Sequence, residues 1–90
     1  MMDAMSMIKR LTRVINLVSN INRMPKNLRS RQGLNNSNAL IQLKERAIVL
    51  RESIEYYVNF NDDDPFVLDG TIELADDICE QILGCITHVN

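Results

Sequence analysis

The chain has no tryptophan and only four aromatic residues in 90, so its interior has to be assembled from Ile, Leu, Val and Met. Cysteine is nearly as scarce. Cys79 and Cys85 stand six positions apart, about 240° of rotation on a helix, too divergent for a mutual disulfide and not the spacing of a metal or redox motif. Small buried thiols in a reducing compartment are therefore expected, with the protein in the cytoplasm. Long apolar runs are also missing. The longest, Ala47 to Leu50, is far short of the roughly 18 residues of a membrane span, and no signal-peptide pattern is expected at the N-terminal end. No stretch alternates apolar and polar residues as a half-buried strand does, and there is neither an internal repeat nor a low-complexity tract.

What remains is helical periodicity in a chain too short for a second core. Leu40, Leu43, Ala47, Leu50, Ile54 and Tyr57 repeat at alternating spacings of three and four, one stripe of a helix. Ile41 and Ile48 lie off that stripe on one side and Val49 far round on the other, which marks this as a central helix touching more than one neighbour. Ahead of it, Ala4, Ile8, Leu11, Ile15 and Val18 form a second stripe, widened by Met7, Val14, Leu17 and Ile21. Asp3 suits the positive end of that helix, and Pro25 stops it. Behind the central helix, Leu68, Ile72, Ala75, Ile78, Cys79, Ile82, Cys85, Ile86 and Val89 share one apolar sector. Asp64 followed by Pro65 is a strong start signal, although Gly70 would allow the regular helix to begin only at Thr71. The expected fold is all-α, a single domain over 1–90 with helices at about 3–24, 38–59 and 65–88 and a loop over 25–37 capped by Asn36 or Ser37. It is a small three-helix bundle; the alternative is a helical hairpin whose N-terminal helix is swapped onto another chain. Oligomerisation is expected in either case, because a domain this small is marginally stable alone.

Charge is unevenly placed. Up to Asn38 seven bases face the single acid Asp3, a net +6; from Ala39 onward three bases face eleven acids, a net −8. The basic set Lys9, Arg13, Arg23, Lys26, Arg29 and Arg31 offers a site for phosphates of nucleic acid or of a nucleotide ligand, though without interleaved aromatics or a glycine-rich cradle. The N-terminal stretch, arginine-rich with one acid, also has the profile of a mitochondrial presequence or a membrane-surface helix. Removing it would leave two helices with little to cover them, so a membrane partner is not expected.

Motifs for chemistry are absent. In every register of the acidic turn Asn61 to Asp64, the glycine that a calcium loop needs at its sixth position is missing. His88, the sole histidine, falls in the last helical turn, where it favours the carbonyl end rather than a metal. Leu68 to Leu74 resembles the attachment segment of acyl carrier proteins, but Gly70 stands where that family requires serine, so nothing transfers. No catalytic set, metal or cofactor is expected.

The functional expectation is a non-enzymatic helical module, regulatory or inhibitory, that works by binding a partner protein. Met5, Met7, Ile41, Ile48 and Val49 would make the apolar contact. Asp69, Glu73, Asp76 and Glu80, on the acidic sector of the third helix, would steer the partner. The alternative is phosphate or nucleic-acid binding through the basic half.

Overall fold

The computed structural model describes residues 3–22, 37–60 and 65–87, of which all but Asp3 and Phe60 are helical. The three helices are α1 (Ala4–Asn22), α2 (Ser37–Asn59) and α3 (Pro65–Thr87). They pack as a three-helix bundle, with α2 meeting α1 and α3 about equally and the outer two meeting each other less. The first helix lies on the other two of its own chain, as the three-helix bundle expects. The recesses described below place Gln42 beside Gln81 and Cys85 but Val49 beside Leu74, so α2 and α3 run antiparallel.

Asp3 starts α1. Its carboxylate accepts the Ser6 backbone N–H at 2.8 Å, satisfying one of the donors that a helix start leaves open, and its carbonyl accepts the Met7 N–H at 3.0 Å as the first regular helical bond. The Ser6 backbone N–H is also the main reason the Asp3 carboxyl is held below its ordinary value of 3.8. A depressed carboxylate of this kind contributes stability that is complete above the ordinary value and fades as pH falls through the folded one. α3 begins at Pro65 and runs unbroken through Gly70, so the later start at Thr71 does not occur. The candidate caps Asn36 and Asp64, the acidic turn residues 61–64 and the loop 25–36 lie outside the described residues, as does His88.

The core contains Met7, Leu11, Val14, Ile15, Val18 and Ile21 from α1, Leu40, Leu43, Ala47 and Ile54 from α2, and Ile72, Ala75, Ile78, Cys79 and Ile82 from α3. No polar or charged side chain among the described residues is buried. The α1 face is turned slightly from the one expected: Met7 and Val14 sit at its centre, Ala4 and Ile8 at its edge, and Leu17 is exposed. Hydroxyls on the helices answer to their own backbone, Thr12 donating to the Ile8 carbonyl at 2.8 Å and Ser19 to Ile15 at 2.9 Å.

Two contacts tie α1 down at its flanks. On the α3 side the Arg10 guanidinium bridges Asp76 and Glu80, the latter at 2.8 Å. On the α2 side Arg51 donates to the Thr12 hydroxyl at 3.3 Å and lies 3.8 Å from Glu55 one turn on, the local pair its spacing had suggested. The two thiols part company. Cys79 is buried and its thiol is pushed up by desolvation, whereas Cys85 is exposed, contrary to the expectation of two buried thiols, because α3 turns it onto the seam with α2.

Candidate interaction surface

With the core filled from one side of each helix, the question is which apolar residues are left over. The clearest are on the outer face of the α2–α3 pair, away from α1. Val49 is 60% exposed, Tyr56 55%, Phe60 69% and Leu74 59%, and Val67 is exposed too. On α2 these fall at Val49 and Tyr56, seven apart on a line well round from the Leu40 stripe, and Phe60, in the turn just after the helix with its backbone N–H bonded to the Tyr56 carbonyl, follows four further on. The rings of Tyr56 and Phe60 lie 4.8 Å apart between centroids and form an exposed aromatic pair, which the half-buried Tyr57 meets edge-on at 6.1 Å from Tyr56.

The seam between the two helices is grooved rather than flat. One recess of about 600 Å³ is lined by Gln42, Leu43, Arg46, Gln81, Gly84 and Cys85, among others. A second of about 580 Å³ shares Gln42 and Arg46 and continues past Val49 and Leu50 to Leu74 and Ile78. A third, smaller one between Val49 and Tyr57 extends the surface toward the aromatic group. The apolar lining is accompanied by the exposed Glu45 and Arg46 in the second recess and Glu52 in the third, and the exposed Glu73 neighbours Leu74 in the sequence of α3. This is the composition of a contact patch: an apolar centre with aromatics, edged by charge.

The residues expected for this role divide. Val49 is on the surface as anticipated, and Ile41 and Met5 are exposed, though Ile41 lies round the α2 circumference from Val49 and Met5 is on α1. Met7 is wholly buried and belongs to the core, a correction that follows from its place at the centre of the α1 apolar face. Ile48 packs against the core from the side and is only partly accessible. Of the steering carboxylates, Asp76 and Glu80 are engaged by Arg10, Asp69 is half-buried, and Glu73 is exposed with no ion pair among the described residues. The acidic sector is therefore partly an internal tie and only partly a surface.

Of the basic set, Lys9 and Arg13 are exposed one turn apart on the back of α1, with no ion pair among the described residues; Arg23, Lys26, Arg29 and Arg31 lie outside them. Among the described residues no helix is long and apolar enough to cross a membrane, and no three His, Cys, Asp or Glu side chains are grouped to hold a metal ion.

Sequence reasoning missed Leu74, Tyr56, Phe60 and Val67. The signal for the aromatic pair was available, since Val49 and Tyr56 share a line well round from the Leu40 stripe and Phe60 follows four further on. Leu74 and Val67 sit at the edge of a continuous apolar sector, and which edge is covered depends on where the neighbour lies. No protein-family model, curated protein or solved structure matches the chain.

Proposed function

We propose that this chain is a non-enzymatic helical interaction module, regulatory or inhibitory in role, that acts by binding a partner protein through the outer face of α2 and α3. The observation that carries this is the exposed set Val49, Tyr56, Phe60 and Leu74, along a groove that Glu45 and Arg46 also line. Glu73 and Asp77 beside Leu74 would bias the surface toward partners with a basic edge.

The test is affinity capture from host-cell extract with wild type and Leu74→Asp, the variant's helicity checked by circular dichroism. Proteins held by wild type and lost from the folded variant support the reading, and an identical set on both removes this face from it. The competing reading, phosphate or nucleic-acid binding, rests on the exposed pair Lys9 and Arg13. It predicts salt-sensitive polarisation of labelled single- or double-stranded DNA or of a nucleotide, abolished by Lys9→Glu/Arg13→Glu and indifferent to Leu74→Asp.

A further inference from the structure

We infer that the outer seam between α1 and α2, on the side away from α3, is a binding site for the phosphate backbone of a nucleic-acid duplex. It rests on the phosphate reading of Lys9 and Arg13, which it carries across to a second helix, and is separate from the face formed by α2 and α3.

One contact defines the seam. Arg51 of α2 donates to the Thr12 hydroxyl of α1 at 3.3 Å, so each of these residues marks the line of its helix that faces the other. Lys44 stands seven positions before Arg51, two turns away on the same line, and is half-buried. On α1, Lys9 and Asn16 stand three before and four after Thr12, and Arg13 and Asn20 follow each of them by one turn. Four cations, a hydroxyl and two carboxamides therefore run along the two walls. These are the side chains that hold phosphate oxygens in nucleic-acid complexes without reading sequence. Lys9, Arg13 and Lys44 enter no ion pair among the described residues. The acid that α2 sets beside them is Glu55, 3.8 Å from Arg51, and Ala4–Asn22 contains none.

The acids that outnumber the bases in this chain lie elsewhere. α3 carries Asp69, Glu73, Asp76, Asp77 and Glu80 and no base. Its Asp76 and Glu80 reach Arg10, which is two positions and about 200° round α1 from Thr12, so this charge is on the opposite flank. At about 0.1 M salt a charge is felt over about 10 Å, roughly the distance between packed helix axes. A polyanion on the outer seam is therefore largely screened from α3, and the net charge of −2 does not prevent its approach. Tyr56 is five positions and about 140° round α2 from Arg51, so the exposed rings are not on the seam to stack unpaired bases. That favours a duplex over a single strand.

Fluorescence polarisation with a short labelled DNA duplex, on the full chain between about 20 and 150 mM salt, is the test. Four phosphate contacts give log affinity a slope of about −3 to −4 against log salt. Lys44→Gln and Arg13→Gln should each weaken binding about fivefold and reduce that slope by about 1. Arg46→Gln removes the same charge from α2 about 200° round from Lys44, and should leave affinity within about twofold of wild type. Circular dichroism checks that the three variants fold alike.

Equal losses on Lys44→Gln and Arg46→Gln would reduce the effect to net charge and overturn the site. Loss on Lys9→Glu/Arg13→Glu without any effect of Lys44→Gln would keep phosphate binding on the back of α1 and overturn the seam. A single strand of the same length should bind more weakly, with a shallower slope, and tighter binding of that strand would overturn the duplex as occupant. Salt-sensitive self-assembly without DNA, abolished by Lys44→Gln, would seat α3 of a second copy there instead. Absence of binding at the lowest salt would overturn the inference outright and leave partner capture by the α2–α3 face, tested with Leu74→Asp, untouched.

Discussion

At the scale of single residues, the outcome turned on a few apolar side chains of similar character and different fate. Met5 and Met7 are two apart, about 200° round the helix, and that rotation puts Met7 at the centre of the core and leaves Met5 56% exposed. Nothing in side-chain chemistry separates them; position relative to the bundle axis does. Met7→Ala should therefore cost about 2–4 kcal/mol in urea unfolding, and Met5→Ala should lie within about 0.5 kcal/mol of wild type. Equal effects from the two would contradict the placement of α1. The same logic distinguishes the two thiols, both expected inside: Cys79 is buried, whereas Cys85 is exposed at the groove.

At the scale of elements, α1 and α3 are clearly amphipathic and were legible from their spacing, while α2 was legible as a helix but not as a face. Its apolar residues are spread around the circumference, the weakest one-sidedness of the three helices, because it has two neighbours within the chain and a third apolar line turned outward. Helix ends were readable where punctuation was strong: Asp3 caps α1, and α3 starts at Pro65. The alternative of a break at Gly70 did not materialise, and the helix runs through it from Pro65 as its start signal indicated. A Cβ added at Gly70 would meet open space. Gly70→Ala should accordingly stabilise the protein by about 0.5–1 kcal/mol, raising the thermal midpoint by several degrees, and a loss of stability would mean that the helix bends there after all.

At the scale of the whole molecule, three helices share one apolar interior and are tied at the flanks by polar contacts that no local pattern announces. Arg10 lies 66 and 70 positions from its carboxylate partners. Burial of its guanidinium alone would weaken its hold on the proton, but the hydrogen bonds to Glu80 and Asp76 more than offset that and the group is held above its ordinary value. The partners remain half or more exposed, at 50% and 67%, so solvent screening limits the contribution. Arg10→Met, which keeps the stem and removes the charge, should cost about 1 kcal/mol at low salt and less at high salt, read from urea midpoints. An unchanged midpoint at low salt would show that the bridge adds nothing to holding α1 in place.

The sequence alone determined that this is an all-helical domain, roughly where each helix lies, and most of the residues that fill its centre, because helical period, capping and proline geometry are local properties that neighbours cannot rewrite. Only the tertiary structure decided which flank of each apolar face would be covered, which carboxylates Arg10 would take out of the acidic sector, and that Val49, Tyr56, Phe60 and Leu74 would share one open side. Those outcomes depend on where a second and third helix approach, and a helix wrapped in apolar residues carries no mark saying which of its sides the chain will leave bare.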